Sequence, residues 1–335
     1  MGITIRNYRP DDVERIVALI NAADAIDQTE DGTSVAETRE WFASPGFNPE
    51  ENVFVAEDDG QMIGYALVRL VKNETESTFR TWYQVHPTRR GGGLEDRLLA
   101  RQYARAEERL IECASAVVNF DAQTSITERE RIAILERFGL REVRRFWLMV
   151  RSLQDALPAP QFPSGIVTRS YRTQQDDAAM HAADAEIFRD HWGHSDMPLK
   201  QWQHYVGWEA FKPDLTVIAQ DAATREVAGF CTITLNAEEN ARLGIRRGWI
   251  DILGVRRPYR KRGLATALLL AGLHNLSNAG AQQAALGCDS ENLTGATRIY
   301  ERVGFRVEKT RATYRKQMRD ASAARARASA QVTGQ

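Results

Sequence analysis

The chain has 335 residues, with 44 basic and 45 acidic side chains and a net charge of −1 at pH 7. This balance excludes a general nucleic-acid binder, because no basic excess is present to displace counterions from phosphates. At about 150 residues per domain the length predicts two domains. A hydrophobic fraction of 43% is enough to build their cores, which excludes disorder over most of the chain.

The compartment is predicted from what the sequence lacks. Three scattered cysteines, Cys113, Cys231 and Cys288, form neither a disulfide framework nor a metal-binding pattern, so we expect reduced thiols and no metal site. The charged N-terminus has no apolar segment of a secretory signal. No run of 18 apolar residues could span a membrane. We therefore expect a cytoplasmic protein without a membrane partner.

The predicted elements follow one plan that occurs twice. Each half opens with a strand leading into a helix (11–22 and 176–190), followed by a variable helical region and a hairpin (53–70 and 216–235). A strand then runs into a turn rich in Gly and Arg (80–93 and 249–263), and an amphipathic helix follows it. A strand, a helix and a closing strand finish each half. Four matched segments in the same order indicate a duplicated domain.

These elements give the predicted domain boundaries. The segment 153–165 contains three prolines and a glycine, so we expect a linker between domains at 1–152 and 166–318. The end of the chain, 319–335, has almost no bulky apolar side chain and is predicted to be a disordered tail, with a basic docking arm as the alternative. Hairpins combined with a later β-α-β unit predict an α+β fold, with a mixed, mostly antiparallel sheet flanked by helices in each domain.

Chemistry is concentrated after the strand that ends near Val255. The turn Arg260-Lys261-Arg262-Gly263-Leu264-Ala265 opens a helix, whose first N–H groups and macrodipole favour an anion. Gly263 and Ala265 would let a phosphate approach the backbone, and three cations surround it. The pattern is neither a Walker A loop nor a dinucleotide fingerprint.

The spacing Arg-x-x-Gly-x-Ala resembles the pyrophosphate loop of the GNAT superfamily of N-acetyltransferases. A second motif from Asn292 through Ala296 and Tyr300 to Gly304-Phe305 is similar to the family's Asn-x-x-x-Ala-x-x-x-Tyr signature. The resemblance implies acetyl-CoA as cosubstrate. The residues that it assigns to cofactor binding lie on the strand end, the loop and the second motif: Leu253, Gly254, Val255, Arg260, Lys261, Arg262, Gly263, Leu264, Ala265 and Asn292.

The resemblance also implies a mechanism of direct acetyl transfer to an amine. Tyr300 would protonate the leaving thiolate of coenzyme A. The strand near Val255 would be splayed or bulged, so that its free backbone groups bind the pantetheine arm. The general base is less clear, because Trp249 stands where many members have a carboxylate. Asp251 is the candidate, and a purely structural role for Asp251 is the alternative.

The first half departs from these patterns. Glu95 stands where a small residue would face the pyrophosphate, Thr127 replaces the asparagine and Leu135 replaces the tyrosine. We expect a degenerate domain that supports the structure, lines part of a substrate cleft or holds a regulatory site, with weak cofactor binding as an alternative. An impaired first domain beside an active second one resembles the tandem members of the family.

The sequence is least informative about the acceptor. Residues 188–208 are rich in His, Trp and Tyr, which could line an acceptor pocket or form a packed core. We predict an N-acetyltransferase that acts on a primary amine of a small molecule and is a monomer or a homodimer. The alternatives are a protein or peptide N-acetyltransferase and a non-catalytic acetyl-CoA-binding module, against which an acid at Tyr300 would argue.

Overall fold

The computed structural model describes residues 2–73, 75–195, 197–292 and 295–320. It divides into two compact units. Unit 1 runs from the N-terminus to Arg145 and takes up the chain again from Arg311, whereas unit 2 comprises Phe146–Thr310. Residues 321–335, most of the predicted tail, lie outside the described part.

The elements of the two units follow the same order. Up to residue 145 the elements are β1 (Thr4–Asn7), α1 (Val13–Asp27), α2 (Val35–Phe42), α3 (Pro49–Asn52), β2 (Val53–Asp58), β3 (Gln61–Lys72), β4 (Glu76–Val85), α4 (Leu94–Glu108), β5 (Val117–Ser125), α5 (Arg129–Arg137) and the start of β6 (Arg141–Ser152). After β6 they are β7 (Ile166–Ser170), α6 (Asp177–Phe188), α7 (Leu199–Gly207), β8 (Val217–Asp221), β9 (Val227–Thr234), α8 (Ala237–Leu243), β10 (Arg247–Val255), α9 (Leu264–Asn278), β11 (Gln283–Asp289), α10 (Ala296–Val303) and β12 (Arg306–Arg319).

Each unit therefore has the α+β architecture expected from the sequence. In unit 1 the strand order is β1-β2-β3-β4-β5 followed by β12, and among its described strand pairs β4 and β5 are the parallel one. In unit 2 the order is β6-β11-β10-β9-β8-β7, with β10 and β11 as the parallel pair. The helices of each unit pack on the sheet with their apolar faces, since the sheet residues between them are largely buried.

The closing strands make the units differ from the sequence-based boundaries. Phe146–Ser152 of β6 pair with β11 of unit 2, although the repeat pattern places them at the end of the first half. Arg311–Arg319 of β12 pair with β5 of unit 1. Arg315 binds both carboxylate oxygens of Asp121 at 2.8 Å, which fixes this register. The strand also reaches Arg319, where the sequence predicted the tail to begin.

The duplication is visible at the start of each unit. Arg6 forms a bidentate ion pair with Asp12, at 2.7 and 2.8 Å, and Arg169 forms the same pair with Asp176, at 2.6 and 2.7 Å. Each pair joins the first strand of a unit to the turn that begins its first helix. The matched opening segments therefore have the same structural role.

The segment 155–163 has no regular secondary structure, as its prolines require. None of the helices in the described residues is long and apolar enough to cross a membrane.

Candidate active site

The site of unit 2 begins where β10 separates from β11. The two strands pair only through Arg247–Trp249, opposite Gln283–Ala285, although both continue for several residues. On its other side β10 pairs with β9, and the register shifts between Ile250 and Ile252. Asp251 is thus the extra residue of a β-bulge, which bends a strand locally. The backbone of β10 from the bulge to Val255 has no strand partner towards β11 in the described part of the chain.

The loop after β10 has the backbone geometry of an anion cradle. Lys261 and Gly263 have φ values of 60° and 82°, and Gly263 is the N-cap of α9. A positive φ at Lys261 is uncommon for a residue with a side chain and turns the chain sharply. The first N–H groups of α9 have no acceptor within the helix, so an anion placed there would be bound by the backbone and by the helix dipole.

The three basic residues of the loop have different surroundings. Arg260 donates to the carbonyl oxygens of Val255, at 3.0 Å, and Ile187, at 3.3 Å, so it holds the loop against β10 and α6. Arg262 donates to the carbonyl of Ser164 at 3.1 Å. Lys261 is exposed and has no hydrogen bond to the described residues. The side chain with most freedom to meet a bound anion is therefore Lys261.

Tyr300 lies on α10. Its ring packs edge-on against Phe305, with 6.2 Å between ring centres, and it belongs to the core that contains Cys231 and Cys288. Burial raises the pKa of the Tyr300 hydroxyl, so the group keeps its proton. Its hydroxyl makes no hydrogen bond to the described residues, which leaves it available to a ligand. Asn292 lies at the end of the turn after β11, and its backbone N–H donates to the backbone carbonyl of Asp289 at 3.2 Å.

Asp251 faces a polar cluster on the β9 side. Tyr205 Oη of α7 lies 3.2 Å from Asp251 Oδ2 and 3.0 Å from Thr232 Oγ1. Thr232 in turn accepts from the Ile252 N–H at 2.9 Å, next to the bulge. Surrounding protein raises the pKa of Asp251, although hydrogen bonds from Thr234 and Tyr205 oppose the shift. The bulge thus places the Asp251 carboxylate in a hydrogen-bonded cluster with α7 and β9.

A second carboxylate was missed by the sequence analysis. Asp184 lies on α6, and burial raises its pKa to about 6. Asp184 makes no hydrogen bond or ion pair with the described residues. The negative charges of Asp184 and Asp251 both raise the pKa of Tyr205. The position of Asp184 could have been noticed only as an Asp inside the apolar pattern of α6, one turn before Ile187 and Phe188. These two side chains approach Gly254, where a Cβ would lie 2.8 Å from Ile187 Cγ2.

Other residues singled out in the sequence have mainly structural surroundings. Trp202 is fully buried in the core of α6, α7 and β9. The His191 ring lies 4.6 Å from the Phe188 ring at an angle of 52°, and burial lowers the pKa of His191. The three cysteines are buried free thiols. Burial raises the pKa of Cys288 to about 11, so it is not a thiolate at neutral pH. No group of metal-binding residues occurs within the described ranges.

The corresponding loop of unit 1 is occupied by its own side chains. Arg90 forms a bidentate pair with Asp27, at 2.6 and 2.7 Å. The Gly91 N–H donates to the carboxylate of Glu95 at 3.1 Å. Glu95 thus hydrogen-bonds to the backbone of its own turn.

Unit 2 thus combines a separated parallel strand pair with a basic turn at the N-terminus of a helix. Residues 178–305 match the acetyltransferase (GNAT) family model. A mycothiol acetyltransferase of Thermobispora bispora is 32% identical over 226 residues, which are 66% of this chain and 70% of the relative.

Two solved structures extend the similarity over both units. A GCN5-related N-acetyltransferase from Sphaerobacter thermophilus has a TM-score of 0.75 and 28% identity, covering 95% of this chain and 96% of its own. A tandem GNAT protein from the clavulanic acid biosynthesis pathway shares the fold, with a TM-score of 0.66 and 15% identity over 94% of this chain and 98% of its own.

The chain belongs to the GNAT family of acetyltransferases. It is an acyltransferase with two tandem GNAT domains, and enzymes of this family take their acyl group from an acyl-CoA.

Proposed function

We propose that unit 2 transfers the acetyl group of acetyl-CoA to a primary amine of a small molecule, and that unit 1 is catalytically inactive. The observation that carries this proposal is the contrast between the two loops. Ala265 leaves the first N–H groups of α9 open, whereas Glu95 occupies the equivalent turn of unit 1 with a carboxylate.

The residues of unit 2 would bind acetyl-CoA in an extended form. The backbone amides from Lys261 to Ala265 would hold the pyrophosphate, with added charge from Lys261 and Arg262. The pantetheine arm would lie along the unpaired edge of β10, where Leu253, Gly254 and Val255 offer backbone groups as an added strand does. Arg260 would act on the loop rather than on the ligand, because two carbonyl groups already occupy its guanidinium.

The chemistry would be a direct transfer. The neutral amine attacks the thioester carbonyl, and a backbone N–H near the bulge stabilises the negative oxygen of the tetrahedral intermediate. The C–S bond then breaks, and the thiolate takes a proton from Tyr300, whose free and protonated hydroxyl suits this role. No enzyme nucleophile is required, which agrees with the buried, protonated state of Cys288.

The amine must lose a proton before or during its attack. Asp251 is the proposed base, because the bulge places it beside the free edge of β10. The Tyr205 hydroxyl donates to Asp251 and orients it. Asp184 would add a second negative charge on the same side and attract the acceptor as an ammonium ion. The carboxylates of Asp251 and Asp184, both near the Tyr205 hydroxyl, thus favour an amine over a neutral or acidic acceptor.

The name of the Thermobispora relative supplies the first acceptor to test. We propose a mycothiol-type acceptor, in the deacetylated form that would present a free amine. Purified protein is incubated with acetyl-CoA and this amine, and released coenzyme A is measured with a thiol reagent after separation from the acceptor. Coenzyme A release with equimolar acetylated amine is expected. Acetyl-CoA binding without transfer to this amine or to a panel of small amines would contradict the proposal.

The number of acetyl-CoA molecules bound per chain tests whether one unit or both bind the cofactor. Calorimetric titration of acetyl-CoA is expected to give one site per chain. Two equal sites would show that unit 1 has kept the cofactor function, and no binding would remove the cofactor assignment.

A further inference from the structure

The cleft of unit 1 keeps hydrogen-bonding capacity that no described residue uses. It opens beside the end of β4 and the N-terminus of α5. Its lining includes Tyr83, Arg90, Glu95, Glu128, Glu130 and Arg131. Tyr83 Oη and Arg131 Nε are both buried and have no hydrogen-bond partner. Buried polar groups of native proteins are almost always paired, so two adjacent exceptions indicate a missing partner.

The side chains that carry the two unpaired atoms are in contact, although Arg131 also lies over Trp82 and donates through Nη1 to Gln84 Oε1 at 3.3 Å. Tyr83 is 3% and Arg131 8% exposed, and the Arg131 guanidinium lies over the Tyr83 ring, 4.3 Å from its centre. Burial raises the pKa of Tyr83 to about 12, so its hydroxyl is a proton donor at neutral pH. Arginine has only donors. Each of the two groups therefore lacks a hydrogen-bond acceptor, and one carboxylate, with its two oxygens, can supply both.

The acidic residues nearby do not supply that acceptor. Asp27 is paired with Arg90, and Glu95 accepts from the Gly91 N–H. Glu128 accepts from Thr124 and from the Ser125 N–H, at 2.8 and 2.9 Å, and its other oxygen stays 3.6 Å from Arg131. Glu130 is exposed and makes no hydrogen bond or ion pair with the described residues.

The charge of the lining restricts the ligand further. Three arginines face four carboxylates around the cleft, so the lining has a net charge of −1. A dianion such as a phosphate ester would meet this excess of negative charge. A ligand with one carboxylate for Arg131 and Tyr83, and one ammonium group for Glu130, leaves the charge of the cleft unchanged.

We propose that the cleft of unit 1 binds a free α-amino acid, with its carboxylate on Tyr83 and Arg131 and its ammonium group on Glu130. The Arg131 guanidinium lies over the Tyr83 ring, so we expect it to move when the carboxylate enters. This site is separate from acetyl transfer in unit 2 and does not depend on the proposed acceptor. Acetyl-CoA is excluded by Glu95 at the turn and by Arg131, which stands where the active motif has Ala296.

The test is a thermal-shift screen of the full-length protein with the twenty L-amino acids, followed by calorimetry. At a concentration about ten times its Kd, an amino acid is expected to raise Tm by about 3 °C. The carboxamide of the same amino acid is the matched probe without the carboxylate, and no shift is expected from it. Absence of a shift from every amino acid, or equal shifts from acid and amide, would overturn the proposal.

Two variants link the response to the site. Tyr83→Phe should weaken binding at least tenfold without lowering Tm of the free protein, because the hydroxyl that it removes has no partner. Glu130→Gln, on the surface, should also weaken binding. Tyr103→Phe in the same unit is the control and should change neither property. Unchanged affinity in both Tyr83→Phe and Glu130→Gln would place any amino-acid binding elsewhere. A second acetyl-CoA site lost in Tyr83→Phe would instead make this a cofactor cleft and refute the proposal.

Discussion

The clefts of unit 1 and unit 2 are built on the same order of strands and helices but differ in the side chains that enter them. Unit 2 has Ala265 and Ala296 where unit 1 has Glu95 and Arg131. The two small residues leave backbone groups open, whereas the two long charged residues bind to the protein itself. Two copies of one fold can thus keep the same core while their clefts carry different polar groups.

The corresponding strands β4 and β10 also differ, because β4 is more regularly paired than β10. In unit 1, β4 pairs with β5 over six residues and with β3 in an unbroken register. In unit 2, β10 pairs with β11 over only three residues and contains the bulge at Asp251. The wider opening and the bulge in unit 2 provide both a free edge for a ligand and a carboxylate beside it. Thr81, at the matching place in unit 1, donates to the Asp121 carbonyl instead.

The largest effect is expected from removal of the Tyr300 hydroxyl, because unit 1 has Leu135 at the matching position. Tyr300→Phe should lower kcat by about 10²–10⁴-fold, the usual range for a general acid. The Kd for acetyl-CoA should stay close to that of the native protein, because the ring and its packing are kept. Steady-state kinetics and calorimetry measure the two quantities. Tyr103→Phe in unit 1 is the control, and equal turnover of the Tyr300 variant would remove its acid role.

A carboxylate at position 265 of unit 2, as Glu95 provides in unit 1, should block anion binding at the turn before α9. Ala265→Glu is expected to weaken acetyl-CoA binding by about 100-fold, since a charge-assisted hydrogen bond contributes about 1.5–3 kcal/mol and the anions repel. Ala265→Gln has similar size without the charge and should have a smaller effect. Calorimetric Kd values that are the same for both variants would mean that size, not charge, distinguishes the two loops.

Asp251→Asn tests the carboxylate that only the bulged strand presents. We expect kcat/KM at neutral pH to fall by about 100-fold, as for loss of a general base. The base works when deprotonated and its pKa is raised, so native activity should decline as the pH falls through that pKa. The variant should lose this acidic limb. A pH profile of kcat/KM that keeps the limb would assign it to another group, with Asp184 as the next to examine.

The smallest effect concerns stability. Burial raises the pKa of Asp184 to about 6, from an ordinary value near 3.8, so the folded protein is penalised when this carboxyl ionises. The penalty is absent below the ordinary pKa and complete above pH 6. Asp184→Asn should therefore stabilise the protein at pH 8 by about 1–2 kcal/mol, after an allowance for solvent screening, and not at pH 4. Denaturant unfolding at both pH values measures this gain.

The control for that experiment is Asp190→Asn at the end of α6. Asp190 pairs with Arg257, which lowers its pKa, so its loss should not stabilise the protein at pH 8. A stabilised Asp184→Asn that also has lower kcat/KM would mark a carboxylate kept for function at the expense of stability. The same change in the free energy of unfolding in both variants would contradict the buried state of Asp184.

The loop and helix motifs of the candidate site could be recognised in the sequence because they are local. The strand, the turn and the start of α9 follow one another, so the residue types at Gly263 and Ala265 already indicate an anion-binding turn. Asp184 and the Tyr205–Asp251 contact could not be predicted, since they depend on how α6 and α7 pack on β10. A lone Asp in a helix resembles any surface residue until its burial is known.

The sequence by itself determined the duplication, the order of elements, the family motifs and the contrast between Glu95 and Ala265, because each is a pattern of neighbouring residues. Only the tertiary structure decided where the closing strands belong. Phe146–Ser152 complete unit 2, and Arg311–Arg319 complete unit 1. Backbone hydrogen bonds along a strand edge are the same for any sequence, so alternation identifies a strand but not its neighbour. Long-range pairs such as Arg315 with Asp121 make that choice specific.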